Sequence, residues 1–342
     1  MIDLNLIWFL LVGVLIIGYA ILDGFDLGVG VIHLFTKDEH EKRVNVNAIG
    51  PVWDGNEVWL LTGGGALFAA FPVVYATVFS GFYLAFMLLL TALIFRAVSF
   101  EFRKYSETAQ SKKWWDLAFG LGSLVPALLF GVAIGNILRG LPIELKDEKV
   151  ISSISFLGLL NPYALLVGAL SLVLFTMHGA VYMTMKTEGT QRERMVKVID
   201  RTWIVFVVLY ILATIATFFV GGYLFAGLLK NPLFWILFIL LFASIIYIPI
   251  SVKAGKFGHA FISSSVMIAM MILLTALSLF PRLVPSSVDL TYSLTIYNAS
   301  SSERTLTTML IIALIGMPIV IAYTIFIYRV FKGKVIINKD SY

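Results

Sequence analysis

Long apolar stretches, each of helix-spanning length and recurring from one end of the chain to the other, restrict the fold more than any other feature. A helix needs about 20 apolar residues to cross the hydrocarbon core of a bilayer. Nine segments of this kind are predicted: Leu4–Phe35, Val52–Phe71, Val74–Phe102, Leu117–Ile137, Pro162–Met185, Trp203–Leu228, Leu233–Val252, Ala260–Phe280 and Leu306–Phe331. The first is too long for a signal-peptide core and is not followed by a small-residue cleavage site, so it is read as a span. Pro72 separates the second from the third, and Asp54, Glu57 and Gly63–Gly65 dilute the second. With 60% of its 342 residues hydrophobic and only 13% charged, the chain is far from the roughly half apolar, one-quarter charged balance of a soluble domain. No globular core could bury that surface, which excludes a soluble enzyme.

The net charge of +5 would suit a nucleic-acid partner if it were spread over one accessible face. It is instead sorted by loop. With the N-terminus outside, five segments face the cytoplasm. They hold Lys37, Lys42 and Arg43; Arg103, Lys104, Lys112 and Lys113; Lys186, Arg192, Arg194, Lys197 and Arg201; Lys253 and Lys256; and Arg329, Lys332, Lys334 and Lys339. That is 18 of the 25 basic residues, and the outer loops hold Arg139, Lys146, Lys149, Lys230, Arg282 and Arg304. The asymmetry follows the positive-inside rule for nine helices, with the N-terminus out and the C-terminus in. The fold class expected is an all-α polytopic membrane protein. No linker or composition shift divides it, so residues 1–342 read as one integral-membrane domain. The connection after Phe280 is rich in Ser and Thr and is expected to fold over the outer face.

Charge inside lipid is costly, so an ionisable residue within a span is a functional candidate. Asp23 and Asp26 lie in the first span, Asp54 and Glu57 open the second, and Arg96 lies near the inner end of the third. Each acidic pair is spaced i, i+3 and shares a helix face. The topology puts all five toward the cytoplasmic side. Arg96 keeps a carboxylate ionised, and a cluster in which some acids hold a proton while others do not can take up and pass on protons. Asp54 and Glu57 also sit near a helix start, where negative charge is favoured. The plainer reading is an ion-pair knot locking three helices.

Gly24 with Gly28 and Gly131 with Gly135 are small-xxx-small pairs suited to close helix contact, within this chain or across an interface. His178 is the one histidine clearly inside a span and has no second candidate ligand near it, which suits a hydrogen-bonded core residue better than a haem ligand. His33, His40 and His259 are expected at the solvated inner interface. The seven Trp, Trp53 and Trp59 among them, fall mainly near helix ends, as in an aromatic belt. The absence of Cys excludes disulfides and thiolate chemistry. Phosphate-loop, dinucleotide, zinc-protease and nucleophile-elbow patterns are missing, and no metal site is expected.

The words around the acids carry more. Asp23-Gly24-Phe25-Asp26-Leu27-Gly28-Val29-Gly30, and Trp53-Asp54-Gly55-Asn56-Glu57-Val58-Trp59-Leu60 continuing to Pro72, are two. Ser80-Gly81-Phe82-Tyr83, Phe95-Arg96 and Phe100-Glu101-Phe102-Arg103 are others, with Gly131–Asn136, Asn161-Pro162, Pro285-Ser286-Ser287 and Ser293-Leu294-Thr295 further on. Over nearly its whole length the chain resembles subunit II of the cytochrome bd-type quinol oxidases. The resemblance implies a larger haem-bearing subunit I of similar fold, paired with this chain as a pseudo-symmetric heterodimer in a bacterial or archaeal plasma membrane. Two b haems, haem d and the quinol site lie in that partner, and the complex oxidises quinol and reduces oxygen to water with protons from the cytoplasm. This chain would ligate no haem, support assembly of the haem subunit and supply part of a proton path. A structural quinone and a small single-helix accessory subunit occur in some members. The positions matching the family's motifs are Asp23, Asp26, Asp54 and Arg96. Glu57 matches a position where a neutral Gln can stand. Trp53, Trp59, Gly24 and Gly28 are interface or packing candidates. The connection between the sixth and seventh spans, essentially Leu229–Pro232, is shorter than in some relatives.

Without the resemblance, a proton-coupled secondary transporter is the rival, and it predicts a midplane site on broken helices. Acids gathered toward one face argue against it. A third reading, in which this chain is itself the haem subunit, founders on too few buried histidines.

Overall fold

The structure, a computed structural model, describes residues 3–146 and 149–337. Nine helices of spanning length occur among them: α1 (Leu4–Phe35), α3 (Trp53–Ala70), α5 (Tyr83–Lys104), α6 (Ala109–Arg139), α8 (Pro162–Lys186), α9 (Gly189–Val220), α10 (Pro232–Lys253), α11 (Phe257–Leu279) and α12 (Glu303–Val330). All except α3 are both long and apolar enough to cross a membrane. Polar and glycine residues lower the hydropathy of α3, as its sequence suggests.

Helix α1 is the hub. It packs against α3, α6, α8 and α11, and from Asp23 to His33 every residue is buried. Small residues make this possible. Gly28 of α1 lies against the Phe175 carbonyl and Gly179 of α8, leaving no room for a Cβ on either helix. Gly24 takes the Phe175 ring, and Gly131 and Gly135 of α6 meet Gly168 and Ala164 of α8 in the same way. Helices α9, α10 and α12 flank this centre and expose most of their apolar residues.

The connections are more structured than the hydropathy pattern suggests. A short helix, α2 (Glu39–Ile49), follows α1; Asp38 caps it by accepting a hydrogen bond from the Glu41 amide at 2.9 Å. The predicted span Val74–Phe102 is two helices, α4 (Pro72–Gly81) and α5, interrupted at Phe82. The interruption falls where Ile154 packs against the bare backbone of Gly81. Helix α6 begins at Ala109 rather than Leu117, because Thr108 caps it and its first two turns are charged. Helix α9 begins at Gly189 rather than Trp203 for a similar reason: its first turns are polar and lie outside the apolar stretch. It also ends early, at Val220, so the connection to α10 is not Leu229–Pro232 but two 3-10 turns, Gly222–Phe225 and Leu228–Lys230. Their apolar composition hides them within the hydropathy stretch. Lys339 lies outside the described residues.

At the end bearing the N-terminus, the two long connections form a cap. An antiparallel hairpin, β1 (Ile143–Lys146) with β2 (Lys149–Ser152), leads through the short helix α7 (Phe156–Leu159) into α8. A second pair, β3 (Arg282–Val284) with β4 (Leu294–Thr295), lies in the Ser-rich connection before α12. The two are joined: the Leu141 amide donates to the Pro285 carbonyl at 2.9 Å, and Ser286 Oγ donates to the Ile143 carbonyl at 2.6 Å. Trp8 Nε1 donates to the Leu306 carbonyl at 2.9 Å, and the Ser301 amide to the Ala70 carbonyl at 2.8 Å.

Candidate functional site

The buried stripe of α5 runs Leu89, Ala92, Leu93, Arg96, Ser99, Phe100 and Arg103, the spacing of one helix face. It therefore turns two arginines inward, two turns apart. Gly122 of α6 lets the α5 backbone approach closely at Ala92 and Arg96.

Arg96 is fully buried and grips Asp23 of α1 with both arms of its guanidinium. Nη1 donates to Oδ2 at 2.9 Å and Nη2 to Oδ1. Bidentate pairing of this kind fixes geometry as well as charge. One turn along, Asp26 Oδ2 lies 3.9 Å from Arg96 Nη2 and accepts from Asn56 Nδ2 of α3 at 2.7 Å. Tyr328 of α12 donates to Asn56 Oδ1 at 2.9 Å. A continuous polar chain, Arg96–Asp23/Asp26–Asn56–Tyr328, thus crosses four helices inside the apolar core. Three of its neighbouring buried atoms, Asp26 Oδ1, Arg96 Nε and Tyr19 Oη, have no hydrogen-bond partner among the described residues.

The other two acids sit differently. Glu57 is half-buried beside the chain and Asp54 is exposed on the outer surface of α3. The five predicted charges therefore do not form one knot: Asp23, Asp26 and Arg96 come together, with Glu57 at their edge and Asp54 a turn away. The reason is rotational. Asn56 points inward, which leaves Asp54 facing out. Trp53 stacks on Phe100 with ring centroids 4.9 Å apart, and Trp59 lies over Gly18, so both indoles pin α3 to its neighbours.

A second cluster lies two turns further along α5. Asp116 of α6 is bonded by His33 Nε2 at 2.8 Å, by Lys42 Nζ at 2.6 Å and by Arg103 Nε, and Arg103 also reaches Glu39 at 2.9 Å. It ties α1, α2, α5 and α6 together. This corrects the expectation for His33, which is fully buried rather than solvated. His40 and His259 are exposed. Sequence reading passed over Asn56, Tyr328, Asp116 and Arg103. Asn56 and Arg103 left a signal, since both lie in the motif words around the acids, and Arg103 also stands seven residues from Arg96.

Three of the four histidines are held by other groups. His178 meets Ser264 Oγ at 2.7 Å and the Ile21 carbonyl at 3.0 Å, so both its ring nitrogens are engaged within the core. His33 is held by Asp116 and His259 by Tyr247. Among the described residues no three His, Asp or Glu side chains converge on a metal position.

Fold and site together define a polytopic helical membrane protein that carries a charge-bearing polar chain in its interior. Comparison with known proteins narrows this class. The chain belongs to the family described as cytochrome bd terminal oxidase subunit II, whose sequence profile matches residues 4–331. It is 39% identical to the probable cytochrome oxidase subunit 2 of Haemophilus influenzae, over 98% of this chain and 96% of that one. It is 36% identical to the cytochrome bd-I ubiquinol oxidase subunit 2 of Escherichia coli K12, covering 97% and 95%. With the cytochrome bd ubiquinol oxidase subunit 2 of Bacillus subtilis it shares 37%, covering 98% of each. A chain in the structure of bd oxidase from Geobacillus thermodenitrificans superposes with a TM-score of 0.81, covering 96% of this chain and 99% of that one; at 18% identity this establishes the fold alone.

Proposed function

We propose that the chain, one membrane-embedded unit over residues 1–342, is the non-haem-ligating second subunit of a bacterial quinol:oxygen oxidoreductase. Its partner is a haem-bearing subunit of similar fold, with which it forms a pseudo-symmetric heterodimer. The haems of that partner supply the electron transfer and oxygen chemistry. A structural quinone and a small accessory subunit rest on the family resemblance alone. The basic last turns of α5, α8, α10 and α12, with Lys37, Lys42 and Arg43 following α1, favour an N-terminus outside and a C-terminus in the cytoplasm.

Two roles follow for this chain's own residues. The first is support: α12 buries only Leu306, and its apolar surface is available to lipid or partner. The second is proton conduction. Exposed Asp54, half-buried Glu57 and the Asp26 carboxyl, one oxygen of which lacks a partner among the described residues, lie in order from the surface of α3 to the buried chain. That graded sequence is the observation that carries the reading. Asp54 would take a proton at its exposed carboxylate, Glu57 would relay it toward Asp26, and Arg96, gripping Asp23 with both arms, would hold the chain in place. Asp54→Asn in the assembled oxidase should slow quinol-driven oxygen consumption about tenfold or more while haem spectra stay normal, a modest loss for a proton-transfer group. Full activity at every pH tested would reject the conduction role and leave the subunit assignment standing.

A further inference from the structure

Near the end of α1 that meets α2, a groove of about 330 Å³ opens between Ile32, Phe35 and Thr36, Glu41 of α2, and one face of α9. That face presents Arg194, Lys197 and Arg201, spaced i, i+3, i+7, with Met195 and Val198 beneath them. Arg194 is bonded to Glu41 at 2.9 Å; Lys197 and Arg201 are exposed and have no acidic partner among the described residues. Glu193 and Asp200, the nearby acids of α9, do not line the groove. Three cations thus face one carboxylate that is already paired.

The depth is as informative as the charge. Half-buried Trp203 donates to the Ile245 carbonyl at 2.8 Å, and from Ile204 to Val220 α9 is apolar. At 1.5 Å per residue, Arg201 to Arg194 occupies roughly the 10 Å just beyond that apolar stretch, the level of lipid phosphates. Phe35, 77% exposed, adds an apolar ledge at the rim. A purely electrostatic patch for a soluble anion would not need it.

We infer that this groove seats an anionic phospholipid, its phosphate held by Lys197 and Arg201 and its acyl chains lying along Phe35 and Val198. Basic grooves between spanning helices favour such headgroups, each Lys or Arg being worth about fivefold in binding near the surface. The site is separate from the proton chain and does not depend on that role.

The test uses the intact oxidase in detergent. Native mass spectrometry reads bound phosphatidylglycerol against phosphatidylcholine of the same acyl chains, and a photoactivatable phosphatidylglycerol marks the contact. Wild-type complex should retain phosphatidylglycerol preferentially and cross-link within residues 191–201. Lys197→Gln with Arg201→Gln should cut that preference about tenfold or more and abolish the cross-link, with haem content unchanged. Lys253→Gln with Lys256→Gln, which removes the same charge from the α10–α11 connection, should do neither. Equal losses in the two double variants would mean diffuse attraction rather than a site. Absence of any phosphatidylglycerol preference in the assembled complex, as when a protein partner covers the groove, would also overturn the proposal.

Discussion

Arg96 shows how much a single buried side chain can decide. Its guanidinium is fully enclosed and is shared between Asp23, in a two-armed grip, and Asp26 at 3.9 Å. Removing one member of a buried ion pair costs about 3–5 kcal/mol, because the survivor stays charged without a partner. Arg96→Ala should therefore lower the yield of assembled, haem-loaded complex; a fully loaded complex of normal thermal midpoint would contradict this. Asn56 makes a gentler test, since its side chain links Asp26 to Tyr328 without carrying charge. Asn56→Leu should cost about 1–3 kcal/mol, the range for stranding buried hydrogen-bonding groups, read as a lower thermal midpoint of the complex. The contrast marks what the sequence discloses at this scale. Asp23, Asp26 and Arg96 stand out because charge in an apolar run is rare, and their meeting is the arrangement that rarity suggests. Asn56 and Tyr328 are neutral, so no charge in an apolar run marks them as partners of the acids. The outward turn of Asp54 depends on how α3 is rotated against α1, a packing choice that i, i+3 spacing does not specify.

Between elements, close contact of α1 with α8 rests on missing side chains. A Cβ at Gly28 would run into the Phe175 carbonyl and the Gly179 backbone, neither of which can rotate aside. Gly28→Val must then push the two helices apart, a larger disturbance than ordinary overpacking, and should destabilise by at least about 2 kcal/mol. Gly13, on the same helix but with open space where its Cβ would be, gives the comparison. Gly13→Ala should be neutral or stabilising by up to about 1 kcal/mol, since alanine is the better helix former. Equal shifts in thermal midpoint for the two would mean that the α1–α8 contact is not what limits stability. The nine long helices are legible because apolar length is a local property, and Gly24 and Gly28 because their spacing is. The connections are not. Helix α2 is polar on average and buries only one face, the break at Phe82 lies beside a contact with the distant Ile154, and the turns after Val220 are as apolar as the helix they end. Each of these is set by a tertiary partner or by backbone geometry, to which hydropathy is blind.

The whole molecule is braced at both ends by different chemistry. One end is closed by hydrogen bonds between the two long connections, centred on Ser286, whose Oγ donates to the Ile143 carbonyl and accepts from the Val288 amide at 3.1 Å. The other is closed by charge, with Asp116 gathering His33, Lys42 and Arg103 from three separate elements. Asp116 and the last residue of α6, Arg139, are about 35 Å apart at 1.5 Å per residue, and the two networks share no side chain. Asp116→Asn keeps the shape but removes the carboxylate that His33, Lys42 and Arg103 share, leaving Arg103 only Glu39, so a cost near the lower end of about 3–5 kcal/mol is expected. Ser286→Ala leaves the Ile143 carbonyl and the Val288 and Asp289 amides without its hydroxyl, for about 1–3 kcal/mol. Distant sites without common partners add to within about 0.5 kcal/mol, so the double variant should lose the sum of the two single losses. The single losses should also differ in their response to salt, because screening weakens ion pairs more than hydrogen bonds between neutral groups, although burial limits the effect. A double variant no less stable than Asp116→Asn alone would show instead that the charged end opens first and that the cap contributes only once it has.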